Sequence, residues 1–244
     1  MGLVNSLAQV LLFLTSITGS YGLAIILLTI MIRLALLPLT MKQTKSMKEM
    51  QKIQPEIKKI QAKHKNDKKK QQEEQVKLIS EHGVNPLGGC LPMVLQLPIF
   101  FALFSVLRIR QAAELKGLAA TMPALYKVGT ALGGASFLGI SSLGLSMEKI
   151  MGTGAATLAL IPYGTLIVLM IGSQFFYSRA MASGDSQQNK MMNFMLIMMA
   201  YFAYIFPAGL LLYWITTNLV GILEHRLMAH IAKSPKTANE GASK

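Results

Sequence analysis

Arg33 stands inside an otherwise apolar run, Tyr21–Met41, long enough to cross a membrane. At 1.5 Å of rise per residue it lies roughly 13 Å from Lys42 and roughly 16 Å from Gly22, too far for full snorkelling. A cation there costs about 2.5–3.5 kcal/mol to insert, so such residues mark functional sites. Two readings follow: an arginine paired with a buried carboxylate, or one facing a wet cavity open to one side. The spans contain no Asp or Glu, apart from Glu224 at the edge of the last. That favours an unpaired charge in a hydrophilic groove. Thr29, one turn from Arg33, with Gln96, Gln174, Asn193, Thr216, Thr217 and Asn218, supplies polar side chains to line it. Such a groove would attract acidic or polar peptide segments and lower their cost of entering the bilayer. Covalent chemistry has no equivalent: HExxH, P-loop, paired acids and a Ser or Cys set beside a span histidine are all missing from the sequence. A single cysteine, Cys90, excludes an intramolecular disulfide, and neither a metal cluster nor a cofactor is indicated.

The elements that position these groups follow from composition. Of 244 residues, 52% are hydrophobic and only 14% charged, and the mean hydropathy is +0.44. Soluble domains carry about 25% charge, so the class is integral membrane, all-α. The net charge of +13 is concentrated: 12 of 24 Lys+Arg fall between Lys42 and Lys77. These lysines are mixed with acids and lack interleaved aromatics, which argues against reading a specific nucleic-acid sequence. Contact with anionic lipid or a ribosome fits them, as does a plain solvated hairpin.

In chain order, residues 1–18 read as an interfacial amphipathic helix, with Leu3, Leu7, Val10, Leu11 and Leu14 on one face and Gly19–Gly22 interrupting. Residues 1–17 lack the basic region of a cleavable leader, and the Met1–Ser6 match to the myristoylation pattern is read as chance. Spans are expected at about 21–41, 87–107, 158–177, 191–206 and 208–223. A helical hairpin occupies 42–82, broken at His64–Asp67. A Gly/Ser/Ala-rich outer-surface segment with short interfacial helices fills 108–157, and a short basic tail follows, 226–244. Residues 19–225 form the core. Spans four and five hold about 16 residues each, roughly 24 Å against a hydrocarbon core of about 30 Å, a hint of local bilayer thinning. Span four also carries Met191, Met192, Met195, Met198 and Met199, a surface type that adapts to varied apolar partners or simply packs. The positive-inside rule puts the hairpin, the linker with Arg179 and Lys190, and the tail in the cytoplasm, with the N-terminus outside.

Four stretches resemble the YidC insertase family, bacterial YidC with its mitochondrial and chloroplast relatives. They are Arg33–Thr40, MKQTKSMKEMQKIQPEIKKIQAKHKND (41–67), NPLGGCLPMVLQLPIFFALFSVL (85–107) and FPAGLLLYWITTNLVGI (206–222). The resemblance runs from about residue 20 to 225. It implies a five-span core in the cell's inner (plasma) membrane that places nascent membrane proteins in the bilayer, alone or beside the Sec translocon. It also implies that Arg33 sits in a groove open to cytosol and lipid, that Thr29 and Trp214 contact substrate, that Gln174 is a groove glutamine, and that Lys42–His82 receives substrate. Expected groove residues are therefore Arg33, Thr29, Gln96, Gln174, Trp214 and Asn218. The chain departs from the pattern where many members have two glutamines after the last span; here stand Glu224 and His225. Its short tail sets it apart from members that dock ribosomes through a long basic one. Without a large domain ahead of the first span or a lipid-anchored cysteine, it suits the smaller family type or a trimmed chain. An anion or solute transporter using Arg33 is the alternative from another class.

Overall fold

The computed structural model describes residues 2–83, 91–107, 121–154, 156–181 and 186–233. The described residues are helical with connecting turns; one isolated bridge joins Phe137 and Ile140. We number the helices α1 (Gly2–Thr18), α2 (Tyr21–Lys63), α3 (Lys68–Glu81), α4 (Leu91–Leu107), α5 (Pro123–Ala131), α6 (Met147–Gly152), α7 (Thr157–Met181), α8 (Ser186–Ile205) and α9 (Ala208–Lys233). Residues 84–90, with the Asn85–Cys90 start of the 85–107 motif, 108–120, the 182–185 part of the polar linker and the tail from 234 lie outside the described residues.

Among the described residues, two stretches are long and apolar enough to cross a membrane, Tyr21–Lys42 and Thr157–Ala180. Gly2–Thr18, Gln96–Leu107 and Phe194–Ile205 are shorter apolar helices. The outward faces are apolar in a way that water does not explain: Leu23, Leu27 and Met31 on α2, Val168 and Phe176 on α7, Phe194 and Ile197 on α8, Leu219, Leu223 and Leu227 on α9 are all exposed. Spacings of three, four and eight keep each set on one helix face, the pattern of a lipid-facing surface.

Helix ends differ from the hydropathy boundaries. The helix that begins the first span does not stop at residue 41. It runs unbroken for 43 residues through Pro38 and Pro55 to Lys63, because the polar sequence after Met41 still has helix-forming Lys, Gln, Glu and Met. The expected break at His64–Asp67 is where it ends; Asp67 caps the next helix, accepting from the Lys70 amide at 3.0 Å. Ile53 and Ile57 of α2 are buried against Leu78 and Ile79 of α3. The helices holding spans four and five have 20 and 26 residues, about 30 and 39 Å, so their apolar stretches are short but the helices themselves are not.

The segment expected at the outer surface is packed rather than loose. Its described part, 121–154, enters the main core: Leu125, Val128, Leu132, Ile140 and Leu143 are buried beside Leu11 of α1, Leu103 of α4 and Leu210 of α9. Polar contacts close the seam. Tyr163 of α7 donates to the Ser142 carbonyl at 2.8 Å, and the amides of Ala208 and Gly209 donate to the carbonyls of Leu145 (2.9 Å) and Leu143 (2.8 Å). Phe137 lies against Gly22, where a Cβ would overlap its ring, so only glycine permits that approach. Beneath this cap, α1 buries Leu7, Ala8, Leu11 and Leu14 and packs on α2, α4 and α5. Helix α9 packs on α7, α2 and α4.

Candidate functional site

One strip of α9 gathers polar side chains from three neighbouring helices. At its first turns Tyr213 and Gln96 of α4 are hydrogen-bonded, the Gln96 amide donating to the phenolic oxygen. One residue on, the Trp214 indole N–H donates to Gln174 Oε1 of α7 at 3.0 Å, and its ring meets Phe100 of α4 edge-on at 5.5 Å. Asn218 Nδ2, one turn further, donates to the same Gln174 oxygen and to Ser173 Oγ, each at 3.1 Å. Gln174 and Asn218 are 4% and 3% exposed, so this network replaces solvent almost entirely.

Arg33 comes in from α2. Its Nη2 donates to the Thr217 carbonyl at 2.6 Å and its Nη1 to Glu224 Oε2 at 3.3 Å. Thr217 and Glu224 are seven residues, two turns, apart and so share a face. Gly221 lies between them, and a Cβ there would stand 2.9 Å from Arg33 Nη2 and 2.6 Å from Tyr177 Cε2. The missing side chain lets the guanidinium lie against the helix backbone. The expectation of an unpaired charge is therefore corrected: Glu224, one residue past the estimated end of span five, reaches Arg33 because α9 continues as helix to Lys233. The pair is under-satisfied, with Arg33 Nε and Glu224 Oε1 both buried without a protein hydrogen-bond partner.

The structure thus brings Arg33, Gln174, Trp214, Asn218 and Gln96 to α9. Thr29 is buried on α2 but bonds within its own helix, to the Ile25 carbonyl at 2.7 Å. Thr216 likewise back-bonds to Leu212. Asn193, Met191 and Met192 have no described side-chain placement; Met199 is buried and Met198 exposed. Residue reasoning missed Tyr213, Ser173, Gly221 and the pairing role of Glu224. The last had a signal: among the acids of the chain only Glu224 abuts a span, at the i+7 position from Thr217. No group of three or more metal-ligating side chains occurs among the described residues.

Comparison with known proteins gives a consistent picture. The family model described as "60Kd inner membrane protein" matches residues 13–236. A relative named membrane protein insertase YidC from Fusobacterium nucleatum subsp. nucleatum is 39% identical over 228 residues, covering 90% of this chain and 93% of that one. Another of that name, from Endomicrobium trichonymphae, is 36% identical over 218 residues, 88% of this chain and 37% of its own. A solved structure described as an active YidC insertase with its first transmembrane domain resolved superposes with a TM-score of 0.65 at 29% identity, covering 91% of this chain and 45% of that one. The chain thus spans nearly all of one relative and less than half of the others.

Proposed function

Because the chain belongs to the 60Kd inner membrane protein (YidC) family, we propose that it is a membrane protein insertase, working without covalent chemistry, that receives nascent polypeptides on the polar strip of α9. Five helices cross the inner membrane in this reading, built on α2, α4, α7, α8 and α9. The N-terminus lies outside, while the α2–α3 hairpin and the C-terminus are cytoplasmic. Polar termini or loops of a substrate exchange contacts with Arg33, Gln174, Trp214 and Asn218, while apolar segments leave sideways into lipid. Thr29 and Gln96 flank that path. The Sec translocon and a ribosome are candidate partners of the process, and the lysine-rich hairpin is the natural place of first contact for either.

The observation that carries the proposal is the convergence of α2, α4 and α7 polar groups on one face of α9, in a protein whose outward helix faces are apolar. A polar strip inside an apolar shell lowers the desolvation cost of bringing peptide groups to membrane depth. Access from one end is supported by the packed cap of 121–154 over the start of α9; a solute transporter needs polar continuity at both ends.

The test combines reconstitution with substitution. Arg33→Ala should depress insertion of a substrate with an acidic translocated segment more than of a neutral one, and Arg33→Lys should retain most activity. Photocrosslinkers at Thr29, Gln174 and Trp214 should capture a stalled nascent membrane protein. Equal insertion of the acidic substrate by Arg33→Ala and unaltered protein rejects the mechanism, and solute flux without insertion would establish the transporter.

A further inference from the structure

Glu224 and Arg33 form a poor ion pair in a place where a good one was possible. Charge-assisted N–H···O contacts normally close to about 2.7–2.9 Å and arginine prefers a two-bond fork to carboxylates. Here a single contact spans 3.3 Å, while Nε and Oε1 have no protein partner although the side chains are only 13% and 8% exposed. The Thr217 carbonyl, at 2.6 Å, holds the guanidinium independently of Glu224. A second carboxylate taking the place of Glu224 would meet a donor already oriented and an Nε without a protein acceptor, and would have only one long contact to displace.

Resting on the insertase reading, we propose that Glu224 is an internal counter-ion that competes with acidic side chains of the incoming polypeptide for Arg33. It would thereby set the charge selectivity of the site. With Glu224 in place the pair is neutral overall, so the strip accepts polar segments of either sign without a fixed charge demanding compensation. An aspartate or glutamate on the substrate exchanges with Glu224, and Glu224 recaptures Arg33 as the segment moves on, which favours release. No covalent step is involved.

The experiment uses the full chain in nanodiscs and two labelled peptides, an apolar segment preceded by three aspartates and its asparagine twin. Glu224→Gln should raise the affinity ratio of aspartate over asparagine peptide by about fivefold or more, the lower end of ordinary coupling between competing ligands. Glu224→Asp keeps the charge but withdraws it by one methylene, and should raise the ratio less. Adding Arg33→Gln to Glu224→Gln should return the ratio to near one, and Arg33→Gln alone, which leaves the Glu224 charge uncompensated, should bring it below one. A ratio unchanged by Glu224→Gln, or equal weakening of both peptides, overturns the proposal and leaves Glu224 a structural clamp. If Glu224→Gln does not fold, Glu224→Asp decides by the same criterion. Insertion into proteoliposomes by the unaltered chain is scored separately: its absence rejects the insertase reading, while the peptide ratio still decides the role of Glu224.

Discussion

Gln174→Leu should loosen the seam between α7 and α9 by a measurable and bounded amount. Gln174 Oε1 accepts from Trp214 and from Asn218, so leucine, of similar volume, removes one acceptor and strands two donors. Asn218 keeps Ser173 at 3.1 Å, whereas Trp214 loses its 3.0 Å partner. A buried group left without a partner costs about 1–3 kcal/mol in soluble proteins, while hydrogen bonds between membrane helices average about 0.6 and reach about 1.7. The lower scale governs the half-compensated Asn218 and a value between the two governs Trp214, giving roughly 1–2 kcal/mol in all. Trp214 is the only tryptophan of the chain, so its emission reports this contact without interference. Unfolding by SDS titration in mixed micelles, followed by that emission, should show the loss. The native spectrum should move to shorter wavelength as the indole N–H loses its acceptor, the edge contact with Phe100 remaining. Stability within about 0.3 kcal/mol of the unaltered chain, with an unshifted spectrum, would refute the network as a source of helix cohesion.

Gly221→Ala places a methyl group 2.6 Å from Tyr177 and 2.9 Å from the guanidinium, and should cost about 1–3 kcal/mol by overpacking. The same SDS titration checks it, and Tyr177→Ala in the double variant should recover part of the loss. Ile57→Ala hollows the small cluster that joins α2 to α3 and should cost about 2–4 kcal/mol of local stability. Amide exchange should then quicken across residues 68–81 and remain unchanged in α7 and α9; protection of 68–81 as in the unaltered chain would show the hairpin to be held by something else.

The parts of this structure that follow a single local rule were readable from the residues. Gly19, at φ +66°, ends α1 where the Gly-Ser-Tyr-Gly interruption predicted. Asp67 caps α3 at the break read from its polar run, and Pro207 stands at the turn between α8 and α9. What hydropathy could not give was where α2 and α9 end, because polarity changes at a membrane boundary and backbone hydrogen bonding does not. That one difference hid both the continuous α2 and the reach of Glu224 to Arg33. The cap was hidden for another reason. Leu125, Val128 and Leu132 keep helical spacing over a stretch of barely two turns, whereas Ile140 and Leu143 follow a Gly/Ser-rich run without a period, and long-range bonding places them, Tyr163 to Ser142 and the α9 amides to Leu143 and Leu145. Gln96, Gln174 and Asn218 could be singled out as polar span residues, but their partners depend on helix rotation, which pattern alone leaves open; Thr29 turned to its own backbone while Gln174 became the hub.

The order of contacts along α9 bears on how a polar segment would enter. Its first amides are tied into the cap at Leu143 and Leu145, and Leu210, Leu211 and Leu212 are buried just beyond. Polar side-chain contacts then begin at Tyr213 and continue through Trp214, Thr217 and Asn218 to Glu224. From Ala208 to Glu224 is about 24 Å of helix, so the cap and the far end of the polar strip are separated by most of a hydrocarbon thickness. A solute crossing the whole distance would meet a layer that offers apolar side chains and engaged backbone groups, with nothing to replace its hydration. A polypeptide faces a different problem. In the proposed reading its polar end would enter from the Glu224 side, exchange hydrogen bonds as far as Tyr213, and shed its apolar part sideways, where Leu219, Leu223 and Leu227 of α9 are exposed. That difference in cost is the physical reason for preferring a peptide to a solute as the ligand of this strip.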